Sequence, residues 1–160
     1  MSFPKLAGLA ELAAESERFQ RSGKQLVLTN GCFDLLHIGH VRYLQAARKL
    51  GAALVVAVNG DASVRMLKGP GRPLNSELER AEVLAALGCV DFVAVFQEMR
   101  VTGVIRAVRP QIYVKGGDYT PESLDPGERE ALEEVGAAVK ILQFVEGKST
   151  TALLEKIGAQ

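Results

Sequence analysis

The chain reads as an α/β protein, a Rossmann-like doubly wound sheet of about five parallel strands with helices on both faces. Three observations predict this. Short, nearly continuous apolar runs rich in Val, Ile and Leu recur along the chain, segments of helical spacing separate them, and the connections are short. Apolar runs without polar alternation suit strands buried on both faces. Strand–helix–strand units with right-handed crossovers then assemble a parallel sheet.

Each element has its own justification. Leu6, Leu9, Leu12, Ala13 and Phe19 fall on one helix face, and Gly23 closes this lead-in helix. "QLVLTN" (25–30) is the first buried strand, and "IGHVRYLQAARKL" (38–50) the following helix, stopped at Gly51. The Val-rich 53–59 is the second strand. A loop is expected over 60–75, where Gly69, Pro70, Gly71 and Pro73 act as breakers. Ser76 and Glu79 fit a capping box that opens the next helix, which should stop at Gly88. Strand three is 90–96; a helix over 101–109 follows, and Pro110 ends it. Strand four is 111–117, a helix over 127–135 is closed by Gly136, strand five is 138–144, and a last helix starts around Ser149. The expected division is a helical lead-in over 1–23 and one α/β domain over 24–160.

Composition narrows the function classes. A chain of 160 residues suffices for one core. Lys plus Arg equals Asp plus Glu at 19 each, so nucleic acid is not an expected partner, and an anionic ligand must be held by local geometry. The longest apolar runs fall far short of the ~18–20 residues of a membrane span, and the opening residues do not read as a signal peptide. No membrane partner is expected, and the expected location is the cytoplasm. Cys32 and Cys89 lack CxxC spacing; two reduced thiols suit that compartment, while spacing alone leaves one disulfide open.

Ligands of open parallel sheets bind beyond the carboxyl ends of the strands. There the sequence places Thr29, Asn30, Gly31, Phe33, Asp34, His37 and His40 after the first strand, and Asn59, Asp61, Lys68 and Arg72 after the second. The fourth is followed by Lys115, Gly116, Gly117, Asp118 and Tyr119, and the fifth by Glu146, Gly147, Ser149, Thr150 and Thr151. Four of the five strand ends thus deliver polar or glycine-rich segments to one edge. His37 and His40 are the chain's two histidines. Zinc needs three or four ligands, no third histidine exists and the spacing is unlike HExxH, so no metal ligand is assigned. A capping or core role is one reading of them. The other is anion chemistry, with two imidazole N–H donors beside a helix start directed at phosphate oxygens. Ser149, Thr150 and Thr151 fit either plain capping or a second phosphate site. Lys68 and Arg72 are either solvated charges or cations that a mobile loop brings onto a polyphosphate. Arg80, unfavourably placed for the helix dipole, points to an anion partner. GxxxxGK[ST], GxGxxG after the first strand and GxSxG are all absent.

Gly31-Cys32-Phe33-Asp34-Leu35-Leu36-His37-Ile38-Gly39-His40 resembles the GxFDxxHxGH hallmark of the cytidylyltransferase-type nucleotidyltransferase superfamily, and Glu146-Gly147-Lys148-Ser149-Thr150-Thr151 its second signature. "LKGPGRPLN", "VKGGDY" and "EGKSTT" resemble, in order and spacing, the D-glycero-β-D-manno-heptose 1-phosphate adenylyltransferases of ADP-heptose synthesis. The resemblance covers roughly 24–157 and implies that 24–160 is a nucleotidyltransferase domain. It implies that His37 and His40 contact the triphosphate and stabilise the pentavalent α-phosphorus. By the same resemblance Lys68, Arg80, Ser149, Thr150 and Thr151 hold the β- and γ-phosphates with Arg72 as an addition, and Gly117 and Glu146 belong to the matching segments. Thr29, Gly31, Phe33 and Asp118 match positions lining base and ribose; Asn30 lies among them, and Asp34 matches a carboxylate that either joins them or orients the loop. Mg²⁺ is implied with the triphosphate, ATP as substrate, and homodimerisation is common among related enzymes. Ser76 and Glu77, "QEMRVTG" (97–103) and Lys148 depart from the group's pattern and bear on the acceptor. The expected reaction is transfer of AMP from ATP to a sugar phosphate with release of pyrophosphate. The alternatives are CTP with glycerol 3-phosphate or a related alcohol phosphate, and a nucleotide-binding module without catalysis.

Overall fold

The fold is known from a computed structural model, which describes residues 4–117, 119–143 and 146–158. The strands β1 (Leu26–Gly31), β2 (Ala53–Asn59), β3 (Phe92–Phe96), β4 (Ile112–Gly116) and β5 (Ala138–Leu142) form one parallel sheet in the order β3-β2-β1-β4-β5. The helices are α1 (Leu9–Arg21), α2 (Ile38–Arg48), α3 (Asp61–Lys68), α4 (Glu77–Ala85), α5 (Thr102–Val108), α6 (Pro126–Val135) and α7 (Thr150–Gly158), with a 3₁₀ turn at Pro121–Ser123. The predicted architecture is the observed one.

Strand periodicity explains the two layers. Successive side chains of a strand point to opposite faces. Leu26, Leu28, Val55 and Ala57 accordingly join one core with Leu12 of α1, Ile105 of α5 and Leu132 of α6. Val27, Leu54, Val56 and Val58 join the other with Leu44 of α2 and Leu84 of α4. All seven residues of β2 are buried, which is why 53–59 shows no polar alternation. The lead-in is stitched to the sheet as well, because Leu12 is fully buried and the Ala7 N–H donates to the Val93 carbonyl at 2.9 Å.

The structure differs from the sequence expectation over 60–75. Residues 61–68 form α3, an eight-residue helix that buries Ser63 and Val64 and ends at Gly69, whose φ of 93° is the left-handed region glycine tolerates. The loop proper is confined to 69–75. Strand five ends at Leu142, short of the expected 144; Phe144 itself lies outside the described residues. Among the described residues no helix is long and apolar enough to cross a membrane.

The order of the strands fixes where a ligand can sit. Connections from β1 run outward to β2 and β3, and later ones return to β4 and β5 on the other side. A crevice opens where that direction reverses, beyond the carboxyl ends of β1 and β4.

Candidate active site

A cavity of about 450 Å³ occupies that crevice. Its walls come from the ends of β1 (30–34), β2 (Asn59), α3 (Leu67, Lys68) and the turn after β3 (Met99, Arg100). The segment after β4 (Lys115, Gly116, Tyr119), Glu128 of α6, His40 of α2 and Thr150 and Thr151 of α7 complete it. Four predicted strand ends do converge, and the turn after β3 joins them.

The histidine pair is held by the start of α2. His37 is the N-cap, and its Nδ1 accepts the Gly39 backbone N–H at 3.1 Å. His40 reciprocates, its Nδ1 accepting the His37 backbone N–H at 3.3 Å. A neutral imidazole has one donor and one acceptor nitrogen. With Nδ1 occupied as acceptor in both rings, Nε2 carries the proton in both, and it has no hydrogen-bond partner among the described residues. The ring centroids lie 4.0 Å apart, and Phe33 flanks His40 at 5.5 Å. Burial lowers both pKa values, that of His40 to about 4, with His37 beside it contributing; Lys148 adds to the lowering at His37. The pair is therefore uncharged at neutral pH. Capping and anion chemistry are compatible readings, since each uses a different nitrogen. A Cβ on Gly39 would stand 2.8 Å from the His37 ring and 3.4 Å from the Lys148 Cβ, so glycine there lets α2, His37 and the α7 entry meet.

Other residues arrive from each side. Ser149 caps α7, its hydroxyl accepting the Ala152 N–H at 3.0 Å, while the Thr150 hydroxyl donates to the Leu35 carbonyl at 3.1 Å. That bond ties the two signature segments together. Lys68 reaches the cavity from the end of α3. Asn30 accepts from the Tyr113 hydroxyl at 2.7 Å. Phe33 adopts φ 47°, a conformation rare for a bulky residue, and its ring packs over Gly31, where a Cβ would meet it at 2.9 Å.

Several predicted ligands are engaged within the protein, although Asp34 and Arg72 also line the cavity. Arg80 is 2% exposed, and its guanidinium is engaged internally. Nη1 donates to the Cys32 and Asn59 carbonyls, Nε to the Asn75 carbonyl, and Nη2 pairs with Asp61 at 2.7 Å. Four of its five donors thus tie together the segments after β1 and β2, and Arg80 does not line the cavity. Asp34 has a side chain 1% exposed that accepts the Leu74 and Asn75 N–H groups and pairs with Arg72 at 2.6 Å. Burial alone would raise its pKa, but the Asn75 and Leu74 N–H bonds and the Arg72 guanidinium outweigh it and hold the carboxyl below its ordinary value. It orients the 69–75 loop, and Arg72 is pinned against it rather than swinging free. Thr29 is fully buried, sharing the Val114 carbonyl with Tyr43, and lies below the cavity floor because β1 runs two residues further, to Gly31. Gly117 and Glu146 do not line the cavity, and Asp118 lies outside the described residues.

Met99, Arg100, Lys115 and Glu128 line the cavity without having been singled out as ligands. Helix periodicity was a usable signal for Glu128, an acidic residue on the apolar face of α6 with Ala131 and Leu132. Both cysteines are free thiols whose pKa values burial raises. Among the described residues no three His, Cys, Asp or Glu side chains gather to hold a metal ion.

A Rossmann-like sheet with paired neutral histidines and a Ser-Thr-Thr helix entry at its switch point defines a nucleotidyltransferase. Residues 28–155 match the family model described as cytidylyltransferase-like. The chain belongs to that family. It is 54% identical over 153 residues to the bifunctional protein HldE of Geotalea uraniireducens (strain Rf4), covering 96% of this chain and 31% of that protein. With the bifunctional protein HldE of Trichlorobacter lovleyi the identity is 55% over 135 residues, covering 84% and 27%. The chain thus spans about a third of the length of these relatives. A solved lipopolysaccharide core biosynthesis protein from Thermoplasma volcanium GSS1 superposes with a TM-score of 0.64 at 30% identity, over 79% of this chain and all of that one.

Proposed function

We propose that the chain transfers the AMP moiety of ATP to D-glycero-β-D-manno-heptose 1-phosphate, releasing pyrophosphate and forming an ADP-sugar. An acceptor phosphate oxygen attacks the α-phosphorus, the bond from that phosphorus to the β-bridging oxygen breaks, and pyrophosphate leaves. The acceptor phosphate is already anionic, so no general base is needed. What remains is alignment and the stabilisation of growing negative charge.

The observation that carries this reading is the neutral histidine pair with both Nδ1 atoms occupied. Two fixed Nε2–H donors, held in place before substrate arrives, suit the equatorial oxygens of a pentavalent phosphorus. Lys68 supplies a cation from the opposite wall, and the Ser149, Thr150 and Thr151 segment supports the β- and γ-phosphates. Asn30, Gly31 and Phe33 line the nucleotide's place, and Asp34 with Arg72 and Arg80 keeps the surrounding loops in position. Mg²⁺ favours phosphate oxygens and water over a protein cage, so it would arrive on the triphosphate and neutralise charge on the leaving pyrophosphate. The sugar acceptor is supported by the likeness to a lipopolysaccharide core biosynthesis protein.

Pyrophosphate release from each nucleoside triphosphate, with a panel of sugar and polyol phosphates, tests the proposal. Release with ATP and heptose 1-phosphate is expected. Release only with CTP and an alcohol phosphate, or none with any pair, would refute it.

A further inference from the structure

The buried charges around the site are not equally committed. Asp34 accepts from the Leu74 and Asn75 N–H groups and from Arg72, and Arg80 donates to three carbonyls and to Asp61. Glu128 has no such set. It is 3% exposed, yet it lines the cavity from the first turn of α6. Among the described residues its carboxylate makes no hydrogen bond; the Lys115 ammonium stands at 3.7 Å, beyond hydrogen-bond reach. Lys115 lines the cavity too, with its own side chain 17% exposed and 5.1 Å from the centre of the Tyr119 ring. It also makes no hydrogen bond among the described residues. Tyr113, two residues earlier on the same face of β4, commits its hydroxyl to Asn30. A carboxylate withdrawn from water normally has hydrogen-bond donors, because desolvation without them is costly.

We propose that Glu128, with Lys115 beside it, is a hydroxyl-binding residue of the cavity, accepting hydrogen bonds from a sugar ring that is joined to phosphate. This rests on the nucleotidyl-transfer reading, in which two such rings enter: the ribose of the nucleotide and the ring of the acceptor. The chemistry of the pair selects the ligand group. A carboxylate only accepts and an ammonium only donates, whereas a hydroxyl does both and can engage the two together. A phosphate placed there would face the Glu128 charge. A cation would face the Lys115 charge, and among the described residues no further carboxylate, histidine or cysteine gathers there to hold a metal ion. Position agrees with a ring one linkage away from phosphorus. Strand β4, which carries Lys115, is the direct neighbour of β1, whose end leads to the histidine pair. At the ordinary strand spacing of ~4.8 Å the two groups of residues stand about one sugar ring apart, and a base would lie further out. A carboxylate already ion-paired and held by α6 accepts such hydroxyls with little reorganisation.

The test pairs Glu128→Ala with substrates that lack single hydroxyls. In the variant, the KM for ATP or for the sugar phosphate should rise roughly 10- to 100-fold, the range for a lost charged hydrogen bond. Glu128→Gln, which keeps one acceptor oxygen, should recover part of the loss and carries the same comparison if Glu128→Ala does not fold. The 2′-deoxy and 3′-deoxy forms of ATP and singly deoxygenated acceptor phosphates then identify the ring. Wild type should discriminate against the analogue lacking the bound hydroxyl, and the variant should not, since the contact is already gone. Loss of discrimination among the ATP analogues assigns Glu128 to the ribose, and loss among the acceptor analogues assigns it to the acceptor ring. Unchanged KM values for both substrates, or discrimination as strong in the variant as in wild type, overturns the proposal. So does a variant that loses only the preference for ATP over ITP, which would place the contact on the base. If wild type releases no pyrophosphate with any pair, the reaction itself is wrong, and calorimetry with ATP and with heptose 1-phosphate separately decides the role of Glu128. Binding of either that Glu128→Ala weakens, with the matching deoxy analogue bound equally by both proteins, supports it; equal binding by both proteins, or none to wild type, overturns it.

Discussion

An ordinary imidazole gains a proton near pH 6.5, but His40 stays neutral until about pH 4 because burial, and His37 beside it, penalise the cation. With Nδ1 accepting the His37 N–H, the proton of the neutral ring belongs on Nε2. Nitrogen-detected NMR of the free protein should therefore find His40 as the Nε2–H tautomer with a midpoint near pH 4. An Nδ1–H tautomer, or titration near 6.5, would remove the basis for a preset donor. The same shift sets a stability trend. Between pH 6.5 and about 4 the unfolded chain binds a proton at this histidine that the folded one excludes, so folding weakens as pH falls through that window. Asp34, held below its ordinary value, adds its own loss only at lower pH. Urea midpoints measured from pH 7.5 to 4.5 should decline steadily below 6.5; a flat profile would contradict the assigned shift. The two histidines and the Ser-Thr-Thr segment were legible in the sequence because their spacing is local. Arg80 was not. Its partners are carbonyls of Cys32, Asn59 and Asn75, groups that every residue carries and that only folding brings together.

Elements show the same division between local and distant causes. The capping box at Ser76 and Glu79 is a short-range signal and is present as expected. Helix α3 was hidden because the breakers at 69–73 dominate a window that is helical until Lys68. Its first N–H is accepted by the Glu77 carboxylate, 16 residues away, at 2.8 Å. Glu77 thus has a structural task in closing α3 onto α4, and Arg80 locks the same junction through Asp61. Arg80→Ala leaves buried carbonyls and a carboxylate short of donors and should cost on the order of 3 kcal/mol. Chemical denaturation measures it, and a change below about 0.5 kcal/mol would mean that the arginine is not the strut described. The lead-in helix makes a parallel claim. Leu12 is fully buried against α5 and the sheet, so Leu12→Ala should cost about 2–5 kcal/mol. A near-neutral result would make α1 an appendage of the fold.

Across the whole molecule, strand order does most to position the chemistry. The β3-β2-β1-β4-β5 sheet places the reversal between β1 and β4; His40, Lys68, Thr150 and Thr151 line the crevice there, while His37 and Ser149 line a neighbouring hollow between the starts of α2 and α7. The order itself was not readable from a chain whose strands are all uniformly apolar, yet the residues beyond each strand end were, which is why the site was more legible than its walls. The central claim is that two neutral histidines at this reversal drive transfer of a nucleotide's α-phosphoryl group. The most direct measurement supplies ATP labelled at the α-phosphate with heptose 1-phosphate and follows the label. The account predicts that label appears in an ADP-sugar, and that His37→Ala and His40→Ala each lose at least ~10² in turnover with folding retained. Label that stays in ATP, or near-wild-type transfer by either variant, would contradict it.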